Sequence, residues 1–293
     1  MFDQIASNRR RSYLLIVLFV LLIAGIGYAF GLLTELGYYA VIPAAAIAIA
    51  VSWSSYYYSD RIVLSMSKAK PASRQEEPYL WNTVEGLSIA AGLPMPRVYI
   101  IEDSAPNAFA TGRDPQHAAV AVTRGLLDKL NRLELEGVVA HEMSHIGNYD
   151  IRLMTLVTVL VGTVVLLSDW MARGLRHGRR RSSGKGGAGG IVVLVALVFL
   201  ILSPVIARLI RFAISRQREF LADASGALMT RYPEGLASAL EKLVADTDPL
   251  EVANKATAHL YIINPLTEHK GWTNTLFSTH PPLAERVARL RAM

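Results

Sequence analysis

The chain has 293 residues, 52% of them hydrophobic and 18% charged, with a mean hydropathy of +0.31. Soluble domains carry about 25% charged residues, so a wholly soluble protein is excluded, as is a disordered one. Cysteine is absent, which excludes disulfides, thiolate catalysis and Cys-based zinc fingers and leaves any metal to His and carboxylates.

The charge deficit is local. Stretches 12–34, 36–59, 153–168 and 186–207 contain no Asp, Glu, Lys or Arg. They hold 85 residues, and the remaining 208 carry all 54 charges, about 26%, the ordinary soluble figure. The net charge is +6 and the pI is near 9.5. Residues 1–11, 60–74 and 169–185 sum to +2, +3 and +5, and the rest of the chain to −4. Basic charge beside apolar stretches marks membrane topology rather than a nucleic-acid face, so no nucleic-acid partner is expected.

Residues 1–59 read as a transmembrane hairpin with spans at about 13–33 and 37–58. The first apolar run exceeds the roughly 7–15 residues of a signal-peptide core, and a second follows after a short connection near Glu35. Basic residues flank both outer ends, which predicts a cytoplasmic N-terminus and a cytoplasmic chain beyond Asp60. Tyr38, Tyr39, Trp53, Tyr56, Tyr57 and Tyr58 lie near the ends of the second span, where an aromatic belt belongs.

Residues 60–150 read as the first soluble α+β part. A helix is expected over 76–91, stopped by Gly92 and Pro94. Strands are expected over 98–101 and 118–123, with an edge strand near 107–111. Helical periodicity resumes at Leu126 and continues to Ile146. Residues 151–210 form a second hydrophobic hairpin, with arms at about 153–170 and 190–208 around a basic Gly/Ser loop. Its first arm is about 24 Å long as a helix, short of a roughly 30 Å hydrocarbon core, and the six basic loop residues oppose the positive-inside rule if it spans. Four spans are the reading adopted; a shallow dip, or packing on the first hairpin, is the alternative. Residues 211–293 form the second soluble part, with a helix through 208–230 and a last helix from Pro281 or Pro282.

His141, Glu142, Met143, Ser144 and His145 form an H-E-x-x-H motif inside the helical run. At about 100° per residue the two imidazoles leave one face a turn apart and can grip one zinc ion, with Glu142 beside them as base for a water. A third ligand is needed. Ile151 occupies the place of the third His in the longer motif, so a distant Glu is expected, and Glu219 is the best candidate. Glu219 and Asp223 are four apart, which suits a ligand plus a carboxylate orienting a His; a solvated acidic face relieved by Arg216 and Arg218 fits the spacing equally well.

Together with these residues, Asn107, Ala108, Phe109, Ala110, Thr111 and Gly112, the run from Arg218 to Asp223, and Ser278, Thr279, His280, Pro281, Pro282 with Arg286 stand in an order that resembles the HtpX family of membrane-integrated zinc metalloproteases, relatives of the prenyl-protein proteases that process CAAX proteins. The resemblance covers nearly the whole chain. It implies one zinc per chain bound by His141, His145 and Glu219, with Glu142 as general base and Asp223 orienting a ligand. It implies that the strand at Asn107 and Ala108 pairs with an extended substrate, and that His280 and Arg286 stabilise the oxyanion or brace the site. A turn-forming Asn107 after Pro106 and a capping or core His280 remain open. His117, His177, His259 and His269 match no motif and are expected at the surface.

The fold class expected is an α+β membrane protein, two transmembrane helical hairpins plus a mainly helical, zincin-like catalytic domain with a small sheet. The expected function is cleavage of misfolded or damaged membrane proteins, and of soluble ones as an extension, at the cytoplasmic face of the plasma (inner) membrane; the resemblance also suggests stress induction. The rivals are a CAAX-processing protease and a non-enzymatic membrane scaffold or transporter subunit.

Overall fold

The apolar N-terminal stretches fold as two long helices, α1 (Phe2–Leu32) and α2 (Val41–Met66), linked through a 3-10 turn at Gly37–Ala40. The computed structural model describes residues 2–32, 37–163, 216–246, 248–252, 257–263 and 281–293. Leu14, Val17, Leu18 and Leu21 on α1 and Ile42, Ile47, Ile49 and Trp53 on α2 are exposed. The two packed helices thus leave apolar side chains outward along their length. Among the described residues, α2 is the one helix long and apolar enough to cross a membrane. Its last turns leave that apolar surface: Asp60, Val63 and Leu64 are buried, the two apolar ones against Ile101, Phe109 and Ala121 of the sheet.

The sheet has four strands: β1 (Lys70–Pro71), β2 (Arg97–Ile101), β3 (Ala108–Gly112) and β4 (Ala118–Thr123), in the order β1-β2-β4-β3. β2 and β4 run parallel, and β3 lies antiparallel to β4 at the edge, with Ala110 opposite Val120. Side chains alternate between two cores. Val98, Ile100, Ala110, Val120 and Val122 face the main helical core, while Ile101, Phe109, Ala119 and Ala121 face the end of α2 and Tyr261.

On the helical side lie α3 (Pro78–Ala91), α4 (Arg124–Lys129) and α5 (Arg132–Gly147). The run expected to be helical from Leu126 to Ile146 is broken at residues 130–131. Asn131 caps the second piece, accepting from Glu134 N while Glu134 Oε2 accepts from Asn131 N at 2.8 Å, a reciprocal capping box that starts a new helix. From residue 137 to 147 every position of α5 is buried. A helix enclosed on all sides shows little amphipathic pattern.

After a turn, residues 150–163 form α6. Leu153, Leu156, Val157 and Leu160 of α6 pack on Leu15, Phe19 and Ala48 of the first hairpin. The rest of the expected second hairpin, with its basic loop, lies outside the described residues. α7 (Arg216–Thr230), α8 (Pro233–Ala245) and α9 (Leu283–Arg291) complete the helical side. Glycines set the closest approaches to α5. A Cβ on Gly226 would stand 3.0 Å from His141 N, and one on Gly137 would stand 2.6 Å from Leu236 N.

Candidate metal centre

α5 presents His141 and His145 one turn apart, Nε2 to Nε2 3.3 Å, with their rings nearly perpendicular. α7, held close by Gly226, brings in Glu219: Oε2 lies 3.8 Å from His141 Nε2, and Oε1 lies 3.6 Å from His145 Nε2. The three residues are buried at 1%, 4% and 2% exposure, which removes the solvated acidic face as a reading of Glu219. A tetrahedral centre with N and O ligands about 2.0–2.1 Å from the ion places ligand pairs about 3.3–3.4 Å apart. The donor separations therefore fit one small divalent cation.

Each imidazole is oriented from behind. His141 Nδ1 lies 2.9 Å from Asp223 Oδ1. His145 Nδ1 lies 3.2 Å from Asp150 Oδ2. A carboxylate behind each Nδ1 suits imidazoles that offer Nε2 to a shared ion. The carboxylates are themselves held. Arg286 donates to Asp223 through Nε at 2.9 Å and Nη2 at 2.7 Å, and Asn8 Nδ2 donates to Asp150 Oδ1 at 2.7 Å. Tyr149 takes a φ of 60°, an unusual left-handed conformation for an aromatic residue, between the end of α5 and Asp150.

Electrostatics favour one bound positive charge. Burial holds His141 below its ordinary pKa against the pull of Asp223. Burial also opposes the His145 imidazolium, but the Asp150 hydrogen bond and the charges of Glu219, Asp150 and Glu142 outweigh it and lift His145 to about 9. A divalent cation answers the same demand that the proton on His145 meets. Burial pushes Glu142 up to about 7, with Glu219 adding to the rise and His145, the Ala110 backbone and Arg286 opposing it. A carboxyl near neutrality is suited to receiving and returning a proton. Asp223 stays below the usual carboxylate range: burial works against this, but the hydrogen bonds from His141 and Arg286 prevail.

The description "Peptidase family M48" fits residues 74–293 of the chain, three quarters of its length. The chain belongs to peptidase family M48. Proteins named protease HtpX homolog from Dictyoglomus turgidum, Thermoanaerobacter pseudethanolicus and Listeria monocytogenes are 49%, 48% and 44% identical to this M48 peptidase. The alignments cover all of this chain and 94%, 98% and 100% of those proteins. A solved structure, that of S. mikatae Ste24p, is similar at 19% identity with a TM-score of 0.45, over 85% of this chain and 64% of that one. This M48 peptidase is a membrane zinc metalloendopeptidase.

The remaining expected residues fall as follows. Asn107 is buried, and its Nδ2 donates to Ile263 O at 3.0 Å. Ala108 O accepts from Ile262 N at 3.0 Å, so residues 262–263 cover that part of the edge strand of the M48 peptidase. Arg286 is buried against Asp223 and lies 3.9 Å from Glu219, bracing the ligand helix. His280 lies outside the described residues, as do His177 and His269. His117 is exposed beside Asp114. His259 is not at the surface: it is buried, with Nε2 3.0 Å from Thr158 Oγ1, because residues 258–260 pack on α6.

Asp150 and Asn8 were missed from the sequence. Asp150 has a weak signal, an acid one turn past a His at the end of the motif helix. Asn8 has none, since 142 residues separate it from its partner.

Proposed function

We propose that this M48 peptidase serves membrane-protein quality control, hydrolysing peptide bonds of misfolded or damaged membrane proteins at the cytoplasmic face of the plasma (inner) membrane. Two hydrophobic hairpins, residues 1–59 and 151–210, cross in four spans, and the N-terminus and both soluble parts, 60–150 and 211–293, are cytoplasmic. The basic residues at the outer ends of the first hairpin support this orientation. The observation that carries the chemistry is the convergence of His141, His145 and Glu219, buried, with Glu142 beside them.

Zinc held by His141, His145 and Glu219 would polarise the scissile carbonyl and acidify a water. Glu142 takes a proton from the attacking water and delivers it to the leaving amine nitrogen, so no acyl-enzyme forms. Asp223 and Asp150 retain the Nδ1 protons of the two imidazoles, and Arg286 and Asn8 hold those carboxylates in place. Because Asn107 and Ala108 are engaged by residues 262–263, an extended substrate adds to β3 at Ala110, whose backbone adjoins Glu142. Recognition through main chain is independent of sequence, which suits a clearing protease.

The test is cleavage by the full chain in lipid vesicles. A destabilised membrane protein and casein should be cut while the folded membrane protein is spared. Equal cutting of folded and unfolded forms would overturn the quality-control reading, and cutting confined to prenylated peptides would assign the chain to CAAX processing. For topology, a cysteine introduced as Ser183→Cys should react with an external membrane-impermeant reagent in intact cells. Labelling only after the membrane is opened would sink four spans.

A further inference from the structure

We propose that the α1–α2 hairpin carries a binding site for one anionic glycerophospholipid, with the headgroup phosphate beside Arg61 and Arg113 and an acyl chain in the groove between the helices. Two cavities meet at Trp53 and Tyr57. The first, about 500 Å³, lies at the soluble end of α2 and brings together Arg61, Arg97, Arg113 and His117. The second, about 380 Å³, runs along the hairpin between Ile16 and Val20 of α1 and Ile49 and Ser52 of α2. Both are of ligand size. A polar, cationic recess continuing into an apolar groove is the shape of a phospholipid.

The charges are complementary to a phosphodiester. Three arginines face two carboxylates, Asp60 and Asp114, leaving +1 before His117 is counted. Arg97 is engaged with Asp60. Arg113 is fixed by donating to Tyr57 O at 3.0 Å, with its guanidinium 5.2 Å from the Tyr57 ring, while its Nε is 3.5 Å from Asp114. Arg61 lies 5.8 Å from the Tyr58 ring and has no carboxylate partner among the described residues. One phosphodiester charge balances the recess.

The groove makes its own demand. Ser52 lines the groove, and its buried Oγ has no hydrogen-bond partner, whereas Ser55 on the same helix donates back to Val51 O at 2.6 Å. A buried hydroxyl without a partner is costly, and turned into the groove it would donate to the ester carbonyl of a lipid reaching from headgroup to groove. Trp53, Tyr57 and Tyr58 ring the junction, where interfacial aromatics sit. The site rests on α1 and α2 lying in the bilayer and does not depend on the protease reading.

The experiment is native mass spectrometry of the full chain in detergent with phosphatidylglycerol, phosphatidylcholine of the same chains, or inorganic phosphate. One phosphatidylglycerol per chain should be retained, at least tenfold in preference to phosphatidylcholine. Arg61→Gln should weaken its retention roughly fivefold, and Arg61→Gln with Arg113→Gln should abolish the preference. Ile49→Trp, which fills the groove, should lower retention of both lipids. Unchanged casein cleavage reports that each variant is folded, and if the double variant fails this check, Arg61→Gln alone decides. Equal retention of the two lipids, or an intact preference in folded Arg61→Gln, overturns the site. Displacement of phosphatidylglycerol by an equal concentration of phosphate overturns its assignment to a lipid.

Discussion

Replacing one oxygen of Glu142 separates metal binding from proton transfer. Glu142→Gln keeps the side-chain volume in a fully enclosed position and removes the base. Zinc analysis should still find one ion per chain while casein cleavage falls roughly 10²–10⁴-fold; residual cleavage near the wild-type rate would refute the role of Glu142. The carboxylate behind His145 acts one step further out. Asp150→Asn, and more weakly Asn8→Leu, should lower zinc affinity in competition with a chelator, by roughly 10–100-fold for the first. Unaltered affinity in both would show that the His145 orientation does not depend on this pair.

The motif helix is specified by what surrounds it. Its start is fixed by Glu134, whose carboxylate accepts from Asn131 N, from Ser238 Oγ at 2.9 Å and from Lys242 Nζ at 2.8 Å, tying α5 to α8. Burial raises the pKa of Glu134, but these hydrogen bonds outweigh it and the group lies below its ordinary value of 4.5. A carboxylate depressed on folding contributes stability above its unfolded pKa and loses it as pH falls through the folded value. Glu134→Gln should therefore cost about 1–2 kcal/mol in denaturant titration at pH 7, and less below pH 4.5. The close pairing of α5 and α7 is equally exacting. Gly226→Ala would press a methyl against the backbone of Ala140 and His141. The two helices should separate by a few tenths of an ångström, costing about 1–3 kcal/mol and weakening zinc binding, as melting and metal analysis would show.

Zinc would join parts of the chain that lie far apart. His141 and His145 come from α5 and Glu219 from α7, while Asn8 of α1, Asp150 of α6 and Arg286 of α9 support them. Without the cation, buried Glu142, Glu219, Asp150 and Asp223 lose their central counter-charge. Chelation should therefore abolish casein cleavage, with recovery on adding zinc, and should also lower the melting temperature. At free zinc about 100 times Kd the difference is about 2.7 kcal/mol, or roughly 5–10 °C for a chain of this size. An unchanged melting temperature would mean that the protein alone holds the site together.

Local rules carried the sequence reading a long way. The i,i+4 spacing of His141 and His145 is a property of any helix, and the strands at 97–101 and 118–123 follow from short β-branched runs bounded by turns. Glu219 and Asp223 were singled out as a pair, yet spacing alone left a solvated face equally open, because one turn of helix looks the same from either side. The break at Asn131 was hidden by apolar periodicity that runs through it, although its capping residue and Glu134 stand in the sequence at the right interval. The sequence by itself determined the division into charge-free stretches and ordinarily charged ones, the motif helix and the identity of the ligand candidates, since composition and helical pitch are local. Only the tertiary structure decided that Glu219 faces the two imidazoles, that Asn8 and Arg286 hold the carboxylates behind them, and that His259 is buried. Those contacts join residues from 63 to 142 positions apart, and at such separations the packing of helices, not the pattern within any one of them, decides what meets.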